Sequence, residues 1–456
     1  MTGILLVSCY ELGHQPLALA SPLAFLERAG HAAEALDISV EPFESARFAR
    51  ARFVAISVPM HTALRLGVRV AEQIRRVNPG CHICFYGLYA SLNADYLLAH
   101  CGDSVIGGEY ESALLALVES REAGRADPLE GVQQRGQAAA PVLRRLPFAV
   151  PSRGALPGLK KYAHLDKGGS KELVGYVEAS RGCLHLCLHC PIPPIYDGRF
   201  FVVPQAIVLD DIRRLARDGA THITFGDPDF LNGPGHSLAI VRAMHGELPS
   251  MTFDFTAKVE HILERAGLFP ELNRLGCVFM VSAVESLSDT VLANLEKGHT
   301  RADVARALQI VRAAGIAFRP TWVAFTPWTT LEDYLEMLDF VEEEGLIDHV
   351  DPVQFTLRLL VPPGSSLLTR EAIRPHLGAL DQAAFIHRWA HPDARMDVLQ
   401  REASRLVEGA ASADPAATFY RLKALAHAMS GRAEEPTPAL APDRRRPPRL
   451  TEAWFC

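Results

Sequence analysis

Short apolar runs alternate with amphipathic stretches in two separate series along this chain of 456 residues. The first series occupies residues 3–119, and the second begins at Val174. Alternation of this kind is typical of parallel sheets that are covered by helices. The sequence therefore predicts an α/β chain: an N-terminal doubly wound, Rossmann-like parallel sheet, then a partial (β/α)6 barrel of the TIM type and a helical C-terminal region.

The same patterns divide the chain into five predicted segments. Residues 1–120 form the doubly wound domain, residues 121–170 a linker with little periodicity, and residues 171–370 the barrel. Residues 371–432 are predicted to be helical. Residues 433–456, which are rich in proline and arginine, are predicted to be a flexible tail because they cannot build a core.

Composition limits the range of partners. The chain has 53 acidic residues against 46 Lys and Arg, which argues against binding nucleic acid or anionic membranes by bulk charge. No apolar run reaches the roughly 18 residues of a membrane span, and the N-terminus lacks the features of a signal peptide. We therefore expect a cytoplasmic protein that binds neither nucleic acid nor membrane.

Three of the nine cysteines lie in one short loop, directly after the first predicted barrel strand. Cys183, Cys187 and Cys190 have the spacing C-x3-C-x2-C. Three thiolates on one loop can hold three irons of a cubane cluster and leave the fourth iron open. An open position distinguishes catalytic from structural metal sites, and active sites of such barrels lie at the carboxyl ends of the strands. The spacing therefore predicts a catalytic iron–sulfur site.

Zinc is the competing interpretation of this loop. His185 and His189 lie between the cysteines, so a site of three cysteines and one histidine is chemically possible. Zinc sites, however, usually pair two short motifs across a longer gap. A non-catalytic zinc or iron–sulfur sensor protein therefore remains an alternative to an enzyme.

The loop and its surroundings resemble the radical S-adenosylmethionine (SAM) superfamily over about residues 174–370. The other matching elements are Arg181-Gly182, Gly226–Phe230, Ser282–Ser286, Lys297–Thr300 and Leu359–Ser365. The turn Ala324–Thr330 departs from the family pattern because it lacks the usual glycines.

The resemblance implies a function and its cofactors. The three cysteines would bind a [4Fe-4S] cluster whose open iron is chelated by SAM, and an electron from the cluster would cleave SAM reductively. Asp229, Glu285 and Ser286 would surround the SAM. The substrate would be a small molecule or inorganic ion, and the electron would come from a donor such as flavodoxin or ferredoxin.

The N-terminal segment resembles the cobalamin-binding domain of B12-dependent radical SAM proteins. Gly107–Glu111 is similar to the Gly-Glu-x-Glu element of these domains. The Asp-x-His-x-x-Gly sequence that supplies a histidine to cobalt is absent. The resemblance implies that cobalamin can be a further cofactor, and the alternative is a structural domain that shields the barrel.

The last residues, Leu450–Cys456, resemble the tail of a radical SAM subfamily that ends in Cys-Cys-Ala-Glu-Pro or Cys-selenocysteine-Ala-Glu-Pro. We expect that a UGA codon after Cys456 was read as a stop, so that the native chain is a selenoprotein that continues. Cys456 would then be a catalytic thiol that binds thiophilic atoms. A looser resemblance, to the enzyme of arsinothricin synthesis, implies the alternative of 3-amino-3-carboxypropyl or methyl transfer from SAM to arsenic(III).

Overall fold

The N-terminal domain is a doubly wound sheet, as predicted. The computed structural model describes residues 3–125, 127–411, 413–432, 438, 444 and 446–451. The strands are β1 Ile4–Ser8, β2 Ala33–Asp37, β3 Phe53–Ser57, β4 His82–Tyr86, β5 Ser104–Ile106 and β6 Val132–Gln134. They lie in the order β2-β1-β3-β4-β5-β6, with only β6 antiparallel to its neighbour. Strands β1, β3 and β4 are buried along their whole length, because helices cover both faces of the sheet.

The helices of this domain place one apolar face against the sheet. They are α1 Leu17–Arg28, α2 Ser45–Arg50, α3 His61–Val77, α4 Leu88–Leu92, α5 Ala94–His100 and α6 Glu111–Glu122. In α3, Leu64, Val68 and Ala71 recur at helical spacing and are buried, while Arg65 and Arg69 are exposed. This pattern fixes the rotation of α3 on the sheet.

The second domain is an open half-barrel. The strands of this part of the chain are β7 His164–Lys167, β8 Ser170–Val177, β9 Ser180–Gly182, β10 Phe200–Val202, β11 His222–Phe225, β12 Thr252–Ala257, β13 Cys277–Glu285, β14 Ala317–Trp322 and, after the barrel, β15 Leu377–Asp381, β16 Ile386–Trp389 and β17 Arg449–Leu450. The half-barrel sheet contains five parallel strands, in the order β8-β11-β12-β13-β14, and is extended at the β8 edge by the antiparallel β7 and β17. The helices are α7 Pro193–Tyr196, α8 Gln205–Arg217, α9 Pro234–Glu247, α10 Val259–Glu264, α11 Phe269–Arg274, α12 Asp289–Asn294, α13 Arg301–Ala313, α14 Leu331–Glu343, α15 Ala394–Glu408 and α16 Pro415–Ser430.

The sixth predicted barrel strand, residues 353–360, is not a strand in the structure. A 3-10 helix, Pro352–Thr356, occupies its first half, and one isolated bridge joins Phe325 to Arg358. The physical reason is a contact between two residues that are distant in the sequence. The backbone N–H of Trp322, which a further strand would engage, donates instead to the side-chain oxygen of Gln354 at 3.1 Å.

The predicted linker and C-terminal region contain more structure than their composition indicates. Residues 121–170 supply β6 to the first sheet and β7 to the second, and the buried Arg153 pairs with Asp211 at 2.8 Å. The region predicted to be helical begins with the antiparallel hairpin of β15 and β16 before α15. In the predicted flexible tail, β17 pairs with β7, and Arg444 forms ion pairs with Asp348 and Asp414.

The two domains meet at the carboxyl ends of their strands. A cavity of about 240 Å³ is lined by the loops after β1, β3, β4 and β5 on one side and by those after β8 and β11 on the other. Ligands of doubly wound sheets and of barrels bind at these edges. None of the described helices is both long and apolar enough to cross a membrane.

Candidate active site

The cysteine loop lies at the carboxyl end of the half-barrel. It begins at Gly182, whose φ of +75° is in the left-handed region, and a Cβ there would lie 2.4 Å from the carbonyl oxygen of Arg199. Only glycine fits this position without strain. The backbone N–H of Cys183 then donates to the same carbonyl at 3.1 Å, and that of Leu188 donates to Leu295 at 3.0 Å. These bonds fix both halves of the loop.

The three thiols are free and close enough to influence one another. Cys183 and Cys187 are buried and Cys190 is half-buried. Burial, with a further contribution from Cys187 and Cys183, raises the pKa of Cys190 to about 12, and burial raises the pKa of Cys183 as well. Thiols that lie close together and oppose one another's ionisation favour a positively charged partner. The donor set therefore fits an iron–sulfur cluster.

Glu285 lies at the end of β13 and faces the cysteine loop. Its Oε1 lies 3.3 Å from Nζ of Lys297 and 3.3 Å from Nε2 of His189. Burial alone would raise the pKa of Glu285, but the Lys297 ammonium and His189 outweigh it and bring the pKa to about 2. The neighbouring Ser286 is buried, and its hydroxyl accepts the backbone N–H of Ser288 at 3.1 Å. The structure thus places Glu285 in contact with the loop through His189, and Ser286 is buried directly after it in the chain.

Asp229, the third predicted SAM contact, is bonded within the protein through both carboxylate oxygens. Oδ1 accepts the N–H of Leu231 at 2.9 Å, and Oδ2 accepts the N–H of Lys258 at 3.1 Å. His261 Nδ1 lies 2.9 Å from Oδ2, and His185 Nε2 lies 3.5 Å from it. Burial would raise the pKa of Asp229, but hydrogen bonds from the two histidines outweigh it and lower the pKa. Asp229 therefore ties the cysteine loop, through His185, to the start of α10.

Arg181 joins the cysteine loop to the N-terminal domain. Its guanidinium lies 2.6 Å from Oε1 of Glu111, 3.5 Å from Oε2 of Glu109 and 2.8 Å from Oε2 of Glu178. The Tyr196 hydroxyl donates to Glu109 at 2.8 Å. Burial, only partly opposed by Arg181, raises the pKa of Glu109 to about 7. One buried cation thus holds carboxylates from both domains together.

The cavity between the domains matches the chemistry of a corrinoid site in part. Its walls include the glycines Gly87, Gly108, Gly182 and Gly226, so backbone rather than side chains forms part of the surface. Apolar side chains such as Leu12, Met60 and Leu88 complete it, and they complement the faces of a flat macrocycle. The volume is below the roughly 300–1,000 Å³ of common small-molecule pockets, so a corrinoid requires the walls to move apart.

Several of the contacts described above involve residues that sequence reasoning did not assign to the site. Lys297 and Arg181 lie in Lys297–Thr300 and Arg181-Gly182, two of the elements that resemble the family, but the sequence does not indicate which residues they contact. Asp227 holds the turn before the cysteine loop, accepting the N–H of Ala179 at 2.9 Å and the hydroxyl of Ser180 at 2.6 Å. Asp227 lies two residues before Asp229, after a predicted strand, and this position is the sequence feature that could have indicated its role. Cys456, the predicted catalytic thiol, lies outside the described residues.

Two family models match the chain, one for each domain. Residues 3–118 match the B12 binding domain, and residues 177–350 match the radical SAM superfamily. The first match covers all five parallel strands of the N-terminal sheet, and the second contains the three cysteines.

Curated relatives are similar in sequence to parts of this chain, at low identity. The hopanoid C-3 methylase of Methylococcus capsulatus is 25% identical over 69% of this chain and 62% of its own length. The tRNA-2-methylthio-N(6)-dimethylallyladenosine synthase of Chromohalobacter salexigens is 25% identical over 44% of this chain and 50% of its own length. The chain thus spans about half to three fifths of the length of these relatives.

Solved structures show the same fold. The cobalamin-dependent SAM radical enzyme OxsB superposes with a TM-score of 0.70 at 15% identity, over 94% of this chain and 73% of that one. The radical SAM methyltransferase TsrM of Kitasatospora setae superposes with a TM-score of 0.63 at 19% identity, over 80% and 75%. The two family matches thus assign a B12-binding domain to residues 3–118 and a radical SAM domain to residues 177–350, and the solved structures show the same fold.

Proposed function

We propose that this protein is a cobalamin-dependent radical SAM methyltransferase. The observation that carries the proposal is the shared wall between the cavity and the cysteine loop: Arg181 and Gly182 line the cavity and lead directly into Cys183. A methyl carrier in this cavity would be next to the site where SAM is cleaved. The names of the hopanoid methylase and of TsrM state methyl transfer for those proteins, which supports the same class of reaction here.

The chain's own residues would prepare this site. Cys183, Cys187 and Cys190 would hold a [4Fe-4S] cluster with one open iron. When bound, the cluster supplies the electron that cleaves SAM, and cobalamin carries the methyl group. Glu285, which Lys297 keeps ionised, would accept hydrogen bonds from SAM beside Ser286.

The acceptor we propose is a small molecule, and the electron donor is a flavodoxin or ferredoxin. The net charge of −7 supports the first point, since nucleic acid binding depends on positive charge. We place the reaction in the cytoplasm, where thiols remain reduced. The alternative of 3-amino-3-carboxypropyl transfer to arsenic(III) depends on Cys456, which lies outside the described residues, and no contact in the described part of the chain favours it.

The nucleoside released from SAM tests the proposal. Protein reconstituted with iron, sulfide and hydroxocobalamin is incubated anaerobically with SAM and a reductant, and the products are identified by mass spectrometry. Loss of the methyl group leaves S-adenosylhomocysteine, reductive cleavage at the cluster leaves 5′-deoxyadenosine and methionine, and loss of the aminocarboxypropyl group leaves methylthioadenosine. We expect S-adenosylhomocysteine together with 5′-deoxyadenosine, and Cys187→Ala should abolish both the cluster absorbance and the release of 5′-deoxyadenosine. Methylthioadenosine as the only product, with or without arsenite, would overturn methyl transfer.

The cofactor assignment is tested separately through the cavity wall. Ala18 lines the cavity, and Ala18→Phe should reduce corrinoid retention after desalting while leaving the cluster spectrum intact. Ala49, on the exposed face of α2, provides the matched control Ala49→Phe. Equal retention by both variants, or none by the wild-type protein, would show that the cavity is not the corrinoid site.

A further inference from the structure

Asn232 is a buried amide beside the cysteine loop with an unused donor. It ends the 3-10 turn Phe230–Asn232 after β11, which Asp229 caps, and its exposed fraction is 7%. Its side-chain Nδ2 has no hydrogen-bond partner among the described residues. Leaving a buried amide donor unpaired is unfavourable, and native proteins pair nearly all of their buried polar groups.

The other end of this amide faces the first cysteine. Asn232 Oδ1 lies 3.9 Å from Sγ of Cys183 and accepts the N–H of Leu184 at 3.4 Å. A protonated thiol can donate to this oxygen, but a thiolate bound to iron has no proton to donate. An amide oxygen and a thiolate would then face each other, which is electrostatically unfavourable.

Rotation of the amide removes this conflict. A half turn about the last side-chain torsion exchanges the oxygen and the nitrogen, which have nearly the same shape. The rotation gives up one hydrogen bond, that from the Leu184 N–H to Oδ1, which is long at 3.4 Å, whereas Nδ2 has no bond to lose. It brings the unused N–H donor toward Cys183.

Several other donors near the loop are already engaged. The N–H of Cys183 donates to Arg199, that of Leu188 to Leu295 and that of Cys190 to Cys187. The N–H of His185 faces the Cys183 sulfur. Asn232 would therefore add a side-chain donor to a sulfur that has a backbone donor already.

We propose that Asn232 donates an N–H···S hydrogen bond to the Cys183 ligand and thereby raises the reduction potential of the cluster. The proposal rests on the proposed cluster at the three cysteines. Hydrogen bonds to the sulfurs are among the factors that set cluster potentials, and groups behind the ligands tune a metal site. Because the reduced cluster has one more negative charge, the donor stabilises it more than the oxidised form.

A redox titration monitored by electron paramagnetic resonance tests this role. In reconstituted Asn232→Leu, we expect the ratio of reduced to oxidised cluster at a fixed potential to fall roughly tenfold, equivalent to about 59 mV for one electron. The matched control is Asn273→Leu on α11, whose amide donates to the carbonyl of Gly315 at 3.2 Å, before the amino ends of β13 and β14. The control should titrate like the wild-type protein.

A second variant keeps the test decisive if Asn232→Leu fails to assemble. Asn232→Asp keeps the size of the side chain, and its carboxylate has no donor. It should also lower the potential, to which its negative charge contributes, and the readout specific to the donor is the loss of one exchangeable-proton coupling in pulsed spectra. A potential equal to or above that of the wild type in either assembled variant would overturn the inference. Absence of any cluster in the wild-type protein would instead overturn the proposed function.

Discussion

The carboxylate of Glu285 lies 3.3 Å from the ring of His189, and this contact joins the fourth parallel strand of the half-barrel to the cysteine loop. Lys297 approaches the same oxygen at 3.3 Å. Glu285 has a φ of +67°, a region that costs a residue with a side chain roughly 1–3 kcal/mol and is enriched at functional sites. The strain and the three-residue contact together support our proposal that the end of β13 belongs to the reaction site.

The first prediction concerns SAM affinity. Lys297→Met removes the buried ammonium that keeps Glu285 ionised, so the pKa of Glu285 should rise and its hydrogen bonds to SAM should weaken. Loss of a charged hydrogen bond is worth roughly 1.5–3 kcal/mol, so we expect the Kd for SAM to rise roughly ten- to a hundredfold in equilibrium dialysis of the cluster-loaded protein. Lys171→Met, at an exposed position of β8, serves as the control. An unchanged Kd for Lys297→Met would contradict the role assigned to Glu285.

The second prediction concerns the contact between the domains. Arg181→Met leaves the buried carboxylates of Glu109 and Glu111 without their cation, and breaking a buried pair in this way typically costs about 3–5 kcal/mol. Unfolding in urea should show that loss. Arg213 pairs with Glu247 on the surface, where water screens the attraction, so Arg213→Met should change the stability little. Equal losses for Arg181→Met and Arg213→Met would mean that the buried cluster does not hold the domains together.

Local pattern was sufficient for the central strands and insufficient at the edges. The short apolar runs over residues 82–86 and 104–106 predict two strands, and β4 and β5 have these bounds in the structure, because buried parallel strands are short and almost entirely apolar. β6 has the sequence Val-Gln-Gln and is a strand only because the edge of β5 accepts it. The absence of the sixth predicted barrel strand has a similar explanation: the side chain of Gln354 accepts the backbone N–H of Trp322, which lies 32 residues earlier in the sequence.

The candidate site likewise has one part that the sequence predicts and another that it does not. The cysteine spacing is local, so the sequence alone predicts the loop. The groups around it are far apart in sequence: Asn232 is 49 residues from Cys183, and Glu111 is 70 residues from Arg181. No short pattern encodes such pairs, because they depend on how the strand ends meet.

The third prediction concerns pH. Glu11 follows β1, and its Oε1 accepts the N–H of Leu17 at 3.1 Å while Oε2 is buried without a partner among the described residues. Burial, with a contribution from Glu178, raises the pKa of Glu11 from 4.5 to about 8. The folded protein therefore keeps this proton where the unfolded chain has lost it, so stability falls as pH rises from about 4.5 to about 8 and then levels off.

Glu11→Gln isolates this contribution because glutamine cannot ionise. Relative to the wild type, the variant should gain stability between pH 5 and pH 8.5, at about 1.36 kcal/mol for each unit of pKa shift. Urea unfolding at the two pH values measures the difference. A difference between variant and wild type that is the same at both pH values would show that Glu11 titrates normally.

The last prediction decides between two roles for Asp229. The sequence resemblance assigns it to SAM, whereas in the structure both of its oxygens bond within the protein, to Leu231, Lys258 and His261. If Asp229 positions the loop, Asp229→Asn should lower the free energy of unfolding by about 1.5–3 kcal/mol, the range for hydrogen bonds to charged groups, and should change the Kd for SAM less than Lys297→Met does. Parallel urea unfolding and equilibrium dialysis measure both quantities. A tenfold or greater loss of SAM affinity with unchanged stability would instead place Asp229 in direct contact with SAM, because only a group without an internal structural role can be altered at no cost to the fold.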